Sequence, residues 1–188
     1  MQQPTPPIWV AAVRTEATYR WAGENGFNLL TAPFFFTDYR EQQALLAVYR
    51  DSLHAHGYDP ATKDVMAVYH MYCAEKDTDI TTFADPALRR YQAFTKKTDL
   101  SRQAYRDPVA YSDWKGFFEN RETITLEQMK AGRAVIGRPE ECVEKLRLLS
   151  ERFGITYLSF EVNFGALPHD EVMRSIRRFA DAVLTKLG

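Results

Sequence analysis

Apolar side chains gather in short uninterrupted runs, and between these runs lie longer segments in which they recur every three or four residues. An uninterrupted run is typical of a strand buried on both faces, as in parallel sheets covered by helices. The sequence predicts four such strands, at 8–13, 27–32, 64–74 and 155–164.

The segments between the strands carry helix start and stop signals. Thr15 is placed to cap a first helix, which Gly26 ends. Asp38, followed by a glutamate three residues later, resembles a capping box that opens a second helix. Helices near the end of the chain begin at Pro139 and Pro168, each followed by acidic residues that favour a helix amino terminus. This alternation of strand and helix predicts right-handed βαβ units and a parallel sheet, an α/β fold.

One stretch, from about 99 to 133, interrupts the alternation. Before it, residues 78–97 are predicted to be helical in pieces, with a break at Pro86. The stretch itself mixes aromatic and charged residues, and we interpret it as an insertion with its own helices. Its aromatic residues at helical spacing are Tyr111, Trp114, Phe117 and Phe118.

Length and composition narrow the class of protein. With 188 residues, 45% of them hydrophobic and 26% charged, the chain fits one soluble domain spanning 1–188. Lys and Arg total 24 and Asp and Glu total 25, so the net charge is −1 and gives no electrostatic reason to expect nucleic acid or an anionic membrane. No apolar run approaches the roughly 18 to 20 residues of a membrane-spanning helix. The amino terminus shows no secretory signal.

The two cysteines, Cys73 and Cys142, lie far apart in the sequence and outside any Cys-x-x-Cys spacing. This usage argues against a disulfide framework and against a cysteine zinc site, so we expect a cytoplasmic protein. We interpret both cysteines as buried apolar residues. His54 and His56 have no acidic residue four positions on, and no metal site is expected.

Two separated motifs resemble the bacterial luciferase-like, flavin-dependent monooxygenases. The first is Pro-Pro-Ile-Trp-Val-Ala-Ala at 6–12 with Arg-Trp-Ala-Gly-Glu-Asn-Gly-Phe-Asn-Leu-Leu at 20–30. The second joins Ile-Gly-Arg-Pro-Glu-Glu at 136–141 to Phe-Gly-Ala-Leu-Pro-His-Asp-Glu-Val at 164–172. Members of this family are (β/α)8 barrels nearly twice as long, and the resemblance is to their second half. It implies four βα units forming half of a TIM barrel, with the helical insertion at about 99–133 added.

The resemblance also implies a chemistry. FMN, reduced by a separate reductase, would react with oxygen and oxygenate a small organic substrate. In the family, the general-base residues and most contacts to the flavin ring lie in the first half, so no catalytic residue is assigned in this chain. Two further hypotheses stay open: a flavin-binding relative without turnover, and a structural or interaction module without cofactor.

The turn at 14–18 is the strongest candidate site. A helix start presents free N–H groups and a partial positive charge, which suit a phosphate. Thr15 and Thr18 place two hydroxyls there and Arg14 adds a cation, whereas in the alternative Thr15 only caps the helix. In the family, hydroxyl residues at the positions of Thr15 and Thr18 hold the FMN phosphate, and the resemblance implies the same role here. Glu16 would repel a phosphate if its side chain pointed inward.

In barrels of this type the chemistry lies at the carboxyl ends of the strands. We interpret Glu161 as a paired or hydrogen-bonded strand-end carboxylate. His70, on the third strand, we interpret as a hydrogen-bonded core residue. No catalytic pair is recognisable among the other strand-end candidates, which are Thr31, Phe34, Tyr72, Cys73, Glu75 and Asn163.

Half a barrel leaves apolar surface exposed. Four parallel strands cannot close a barrel built for eight, and the edges at 8–13 and 157–162 lack the lysines or prolines that discourage pairing. Roughly several hundred Å² of wet apolar surface forfeits on the order of 10 kcal/mol, comparable to the stability of a whole domain. We therefore expect a homodimer, or a heteromer with a first-half barrel chain; the alternative is an open sheet whose edges the insertion covers. Three interpretations of the aromatic insertion remain: a packed helix face, a lid over substrate or flavin, and a subunit interface.

Overall fold

A computed structural model describes residues 5–36, 39–102 and 124–187. The strands are β1 (Trp9–Ala12), β2 (Asn28–Thr31), β3 (Val65–Cys73), β4 (Ala134–Gly137) and β5 (Tyr157–Glu161). The helices are α1 (Glu16–Glu24), α2 (Tyr39–Ala55), α3 (Asp85–Arg102), α4 (Leu126–Gly132), α5 (Pro139–Phe153) and α6 (His169–Ala182). The chain divides into two compact units, Met1–Tyr69 with Arg147–Phe160 and His70–Leu146 with Glu161–Gly188. The single-domain organisation expected from the length stays a prediction.

In the first unit, β1, β2 and the first half of β3 pair in parallel. The register sets Val10 beside Leu29, and Leu29 beside Val65. β5 also pairs with β3, and just before it the Thr156 amide donates to the Val65 carbonyl oxygen at 3.0 Å. Alternate side chains on these strands form a largely buried face, on which Val10 is half-buried. Its fully buried members are Ala12, Leu29, Thr31, Val65, Ala67 and Tyr69.

The opposite face of the same sheet is only partly covered. Ala11 is beside Leu30 and Leu30 is beside Met66 in the register, so these side chains share that face. Ala11 is exposed, and Leu30 and Met66 are half-buried. Trp9 packs edge-on against Tyr157 at 5.7 Å between ring centroids, and Tyr157 remains 50% exposed. Parallel sheets are normally covered on both faces, whereas this face keeps exposed apolar surface among the residues that the structure describes.

The second unit holds the rest of β3, which pairs in parallel with β4. The register runs from His70 beside Ala134 to Cys73 beside Gly137. Residues of α3, α4 and α6 join these strands in one buried apolar cluster. The cluster includes Tyr72, Ile80, Leu88, Met129, Ile136, Phe164 and Val172.

The chain is helical across 77–102, with one irregular stretch. A helical turn at Asp77–Asp79 leads into a π-helical turn at Ile80–Ala84, and α3 follows directly. Pro86 is the second residue of α3. Proline lacks an N–H group and its ring crowds the carbonyl of the preceding turn, so a widened turn just before it is the expected accommodation. The predicted break at Pro86 is therefore wrong, because the helix continues through the proline and changes type only before it, at Ile80–Ala84.

β4 is a strand that the sequence analysis does not predict, so the expected number of four strands is wrong. Its run, Ala-Val-Ile-Gly, is only four residues long and directly follows the predicted insertion. From sequence alone, such a short apolar run can be a strand or part of a buried helix. Here it is a strand, because it pairs with β3. The four predicted strands are all present with shorter bounds, and the α/β class with parallel pairing is confirmed.

Most of the predicted insertion lies outside the described residues. This includes its aromatic side chains, Tyr111, Trp114, Phe117 and Phe118. Within the described part, α3 continues to Arg102 and α4 begins at Leu126. None of the described helices combines the length and the apolar character that crossing a membrane requires.

Candidate functional site

The turn between β1 and α1 is anchored by Tyr19 of α1. The Tyr19 hydroxyl donates to the Val13 carbonyl oxygen at 2.9 Å and lies 2.7 Å from the Thr31 hydroxyl oxygen at the end of β2. Burial raises the pKa of the Tyr19 phenol, so it stays a neutral donor at ordinary pH. These contacts fix the backbone from which Arg14 and Thr15 project, and they give Thr31 a structural role.

Thr15 occupies the N-cap position of α1 without capping it. Its backbone is extended, at φ −78° and ψ 107°, and its side chain makes no capping hydrogen bond. The Thr18 amide donates to the Thr15 carbonyl oxygen at 2.9 Å, and both threonines are half-buried. The alternative in which the Thr15 hydroxyl caps the helix therefore has no hydrogen bond to support it. Hydroxyl and first-turn N–H donors at this helix end suit an anion.

The charges around this turn are paired. Arg14 Nε donates to Glu41 Oε1 of α2 at 2.6 Å, and only 14% of the Arg14 side chain is exposed. Glu41 therefore compensates part of the positive charge that Arg14 offers a phosphate. Glu16 is exposed and pairs with Arg20 one turn along α1. The Glu16 carboxylate is thus satisfied at the helix surface rather than at the turn.

A buried histidine and a carboxylate meet in the second unit. His70 Nδ1 in β3 lies 3.1 Å from Oε2 of Glu161, the last residue of β5. The His70 side chain is fully buried, and its ring contacts Tyr91 at 4.5 Å and Phe164 at 5.0 Å between centroids. The sequence analysis interprets these two residues separately, as a core histidine and a paired carboxylate. The structure makes each the partner of the other.

Two polar residues of α6 are buried against β3, and the sequence analysis does not identify them as such. The Tyr72 hydroxyl donates to Glu171 Oε1 at 2.8 Å, and the Cys73 amide donates to Ser175 Oγ at 2.8 Å. Glu171 also pairs with Arg174. The available signal was spacing, because Glu171 and Ser175 lie one helical turn apart on the apolar face of α6. Tyr72 and the Cys73 backbone therefore serve packing.

The remaining strand-end candidates do not converge. Asn163 is exposed, Phe34 is half-buried, and Glu75 pairs with Arg178 at 3.3 Å. Across residues 5–36, 39–102 and 124–187, no group of three His, Cys, Asp or Glu side chains is placed to hold a metal ion.

Comparison with known proteins identifies a family and several similar proteins. Residues 1–157 match the model of the luciferase-like monooxygenases. The oxygenase component of the flavin-dependent trigonelline monooxygenase of Acinetobacter baylyi is 26% identical over 185 residues, which cover 98% of this chain and 49% of that protein. The solved monooxygenase RslO1 from Streptomyces bottropensis is 24% identical with a TM-score of 0.62, over 100% of this chain and 50% of the other.

A further solved structure has the same fold and contains flavin. It is the oxygenating constituent of 3,6-diketocamphane monooxygenase from Pseudomonas putida in complex with FMN. Its TM-score is 0.58 at 20% identity, over 97% of this chain and 49% of the other.

The parallel βα units and these structural matches define the class as half of a TIM barrel, which confirms the predicted fold. The chain belongs to the luciferase-like monooxygenase family. It spans about half the length of the relatives it matches.

Proposed function

We propose that this chain is the FMN-phosphate-binding half of a luciferase-like monooxygenase that oxygenates a small organic substrate. The proposal rests on the amino terminus of α1. There the side chain of the N-cap residue, Thr15, makes no capping hydrogen bond, and Thr18 lies in the first turn. The chain also belongs to a family of monooxygenases. One relative is a flavin-dependent monooxygenase, and a structure of the same fold was solved with FMN. Both support a flavin cofactor for this chain.

The donors of the β1–α1 turn fit a phosphate group. The hydroxyls of Thr15 and Thr18 and the first N–H groups of α1 would each donate to a phosphate oxygen. The helix dipole contributes about 0.3–2 kcal/mol for an anion at this end. Arg14, held in place by Glu41, would add positive charge beside the turn. FMN, when bound, supplies the oxygen chemistry, and these residues anchor and orient it.

The open face of the first unit supports completion of the barrel by another chain. Apolar surface is left exposed on a sheet whose other face is largely buried, at Ala11, Leu30, Met66 and Tyr157. We propose that a second copy or a first-half barrel polypeptide covers this face and supplies the remaining flavin contacts. A reductase in the same cytoplasm would deliver reduced FMN.

A titration with two flavins tests the phosphate site. Riboflavin has the same ring as FMN but no phosphate, so the proposal predicts that FMN binds at least about 10-fold more tightly than riboflavin. Quenching of flavin fluorescence by the purified chain, alone and with a first-half polypeptide, measures both affinities. Equal affinities for the two flavins, or binding of neither under any condition, would contradict the proposal.

A further inference from the structure

Two free thiols meet where β3 ends beside α5. Cys73 is the last residue of β3, and its register partner is Gly137 of β4. The Gly137 carbonyl oxygen accepts the Ala74 amide at 2.8 Å and the Cys142 thiol at 3.6 Å. One carbonyl thus contacts both the residue after Cys73 and the Cys142 sulfur, which makes the two cysteines neighbours.

The surroundings give the two thiols different characters. The neighbouring Cys142 thiol and the positive charge of Arg178 lower the pKa of Cys73, despite burial and the nearby Glu140 carboxylate. Arg178 Nη1 also donates to the Cys73 carbonyl oxygen at 2.7 Å. The neighbouring Cys73 sulfur and burial raise the pKa of Cys142. The Cys142 proton is engaged by the Gly137 carbonyl oxygen, whereas Cys73 lies beside the Arg178 guanidinium, so we assign Cys73 as the nucleophile of the pair and Cys142 as the thiol that keeps its proton.

We propose that Cys73 and Cys142 are a redox-active dithiol that hydrogen peroxide converts into a reversible disulfide. The Cys73 thiolate attacks one peroxide oxygen, the O–O bond breaks, and the departing hydroxide takes up a proton to become water. The Cys142 sulfur then attacks the Cys73 sulfenic acid, and the leaving hydroxyl takes the Cys142 proton as a second water. Two thiols lose two electrons in total and one peroxide is reduced to two waters.

The placement of the pair determines which reagents reach it and what the bond does. Cys73 and Cys142 are 0% and 1% exposed, so a small oxidant reaches them more readily than a bulky alkylating reagent. The disulfide would tie the end of β3 to the first turns of α5 and close the intervening chain, which includes α3 and α4, into a covalent loop. Closing a long loop restricts the unfolded chain and stabilises the folded one. This proposal does not depend on flavin binding.

Peptide mapping of the full chain under non-reducing conditions tests the proposal without any substitution. After exposure to hydrogen peroxide, we expect a cross-linked peptide pair containing Cys73 and Cys142 that dithiothreitol releases. The melting temperature of the oxidised chain should rise by about 5 °C or more and return after reduction. If both thiols remain free for alkylation after oxidation and subsequent unfolding, they are inert buried cysteines and the proposal is wrong.

Single substitutions assign the order of the two steps. In C142S the reaction should stop at a Cys73 sulfenic acid, which dimedone traps when the oxidised chain is unfolded in its presence. In C73S the remaining Cys142 should stay a thiol at the same peroxide dose. If Cys142 in C73S is oxidised to a sulfenic acid to the same extent as Cys73 in C142S, the assigned roles are wrong. If the unsubstituted chain forms disulfides only between molecules, the proposed pair is wrong.

Discussion

Replacing Thr15 and Thr18 together by valine will weaken FMN binding by about 100-fold and leave riboflavin binding unchanged. A hydrogen bond to a charged group contributes about 1.5–3 kcal/mol, and the double substitution removes two such donors. Valine keeps the size of the threonine side chain. Because the Thr15 side chain makes no capping hydrogen bond, α1 should lose little stability. Fluorescence titration with both flavins measures the effect.

Thr185→Val is the matched control. Thr185 is an exposed threonine of the second unit whose hydroxyl donates to the Asp181 carbonyl oxygen at 3.0 Å. FMN affinity in this variant should equal that of the unsubstituted chain. If the double variant keeps its FMN affinity, or if its riboflavin affinity falls by the same factor as its FMN affinity, the phosphate does not bind at the start of α1.

Gly165→Ala will destabilise the second unit by about 3 kcal/mol or more. Gly165 lies between β5 and α6 at φ +57°, and a Cβ there would stand 1.7 Å from the Ala87 carbonyl oxygen of α3. Arg90 of α3 also donates to the Gly165 carbonyl oxygen at 2.7 Å, so the helix is held against this turn. Overpacking costs about 1–3 kcal/mol, and a left-handed backbone adds about 1–3 kcal/mol for a residue with a side chain. Urea unfolding followed by circular dichroism measures the loss.

Gly57→Ala separates these two contributions. Gly57 has φ +80°, but no atom lies within 4 Å of the Cβ that alanine would bring. This variant should lose only about 1 kcal/mol, from the backbone conformation alone. Equal losses at positions 57 and 165 would mean that the close approach of α3 to the turn contributes nothing.

Each of the two motifs that resemble the family contains a glycine that packing explains. Gly23, in the first motif, allows α1 to approach α2, because a Cβ there would lie 2.5 Å from the Tyr49 carbonyl oxygen. Gly165, in the second motif, allows α3 to approach the turn after β5. Such positions can be read from sequence because only glycine fits them. Strand and helix alternation was readable for a similar reason, since each element carries its own periodicity.

What the sequence could not reveal is which distant residues become partners. His70 and Glu161 could each be interpreted alone, but their contact depends on how β5 meets β3. The neighbourhood of Cys73 and Cys142 likewise depends on β4, a strand too short to predict from its own four residues. Local patterns fix the elements, whereas tertiary pairing places the side chains of the site.

Sedimentation velocity recorded at both protein and flavin wavelengths tests the half-barrel assignment most directly. The chain is mixed with FMN over a range of concentrations, alone and with a first-half barrel polypeptide. We expect flavin absorbance to sediment with a species that contains two chains, either two copies or this chain with the first half. Flavin absorbance that follows a monomer at every concentration, or that never sediments with protein, would contradict the assignment.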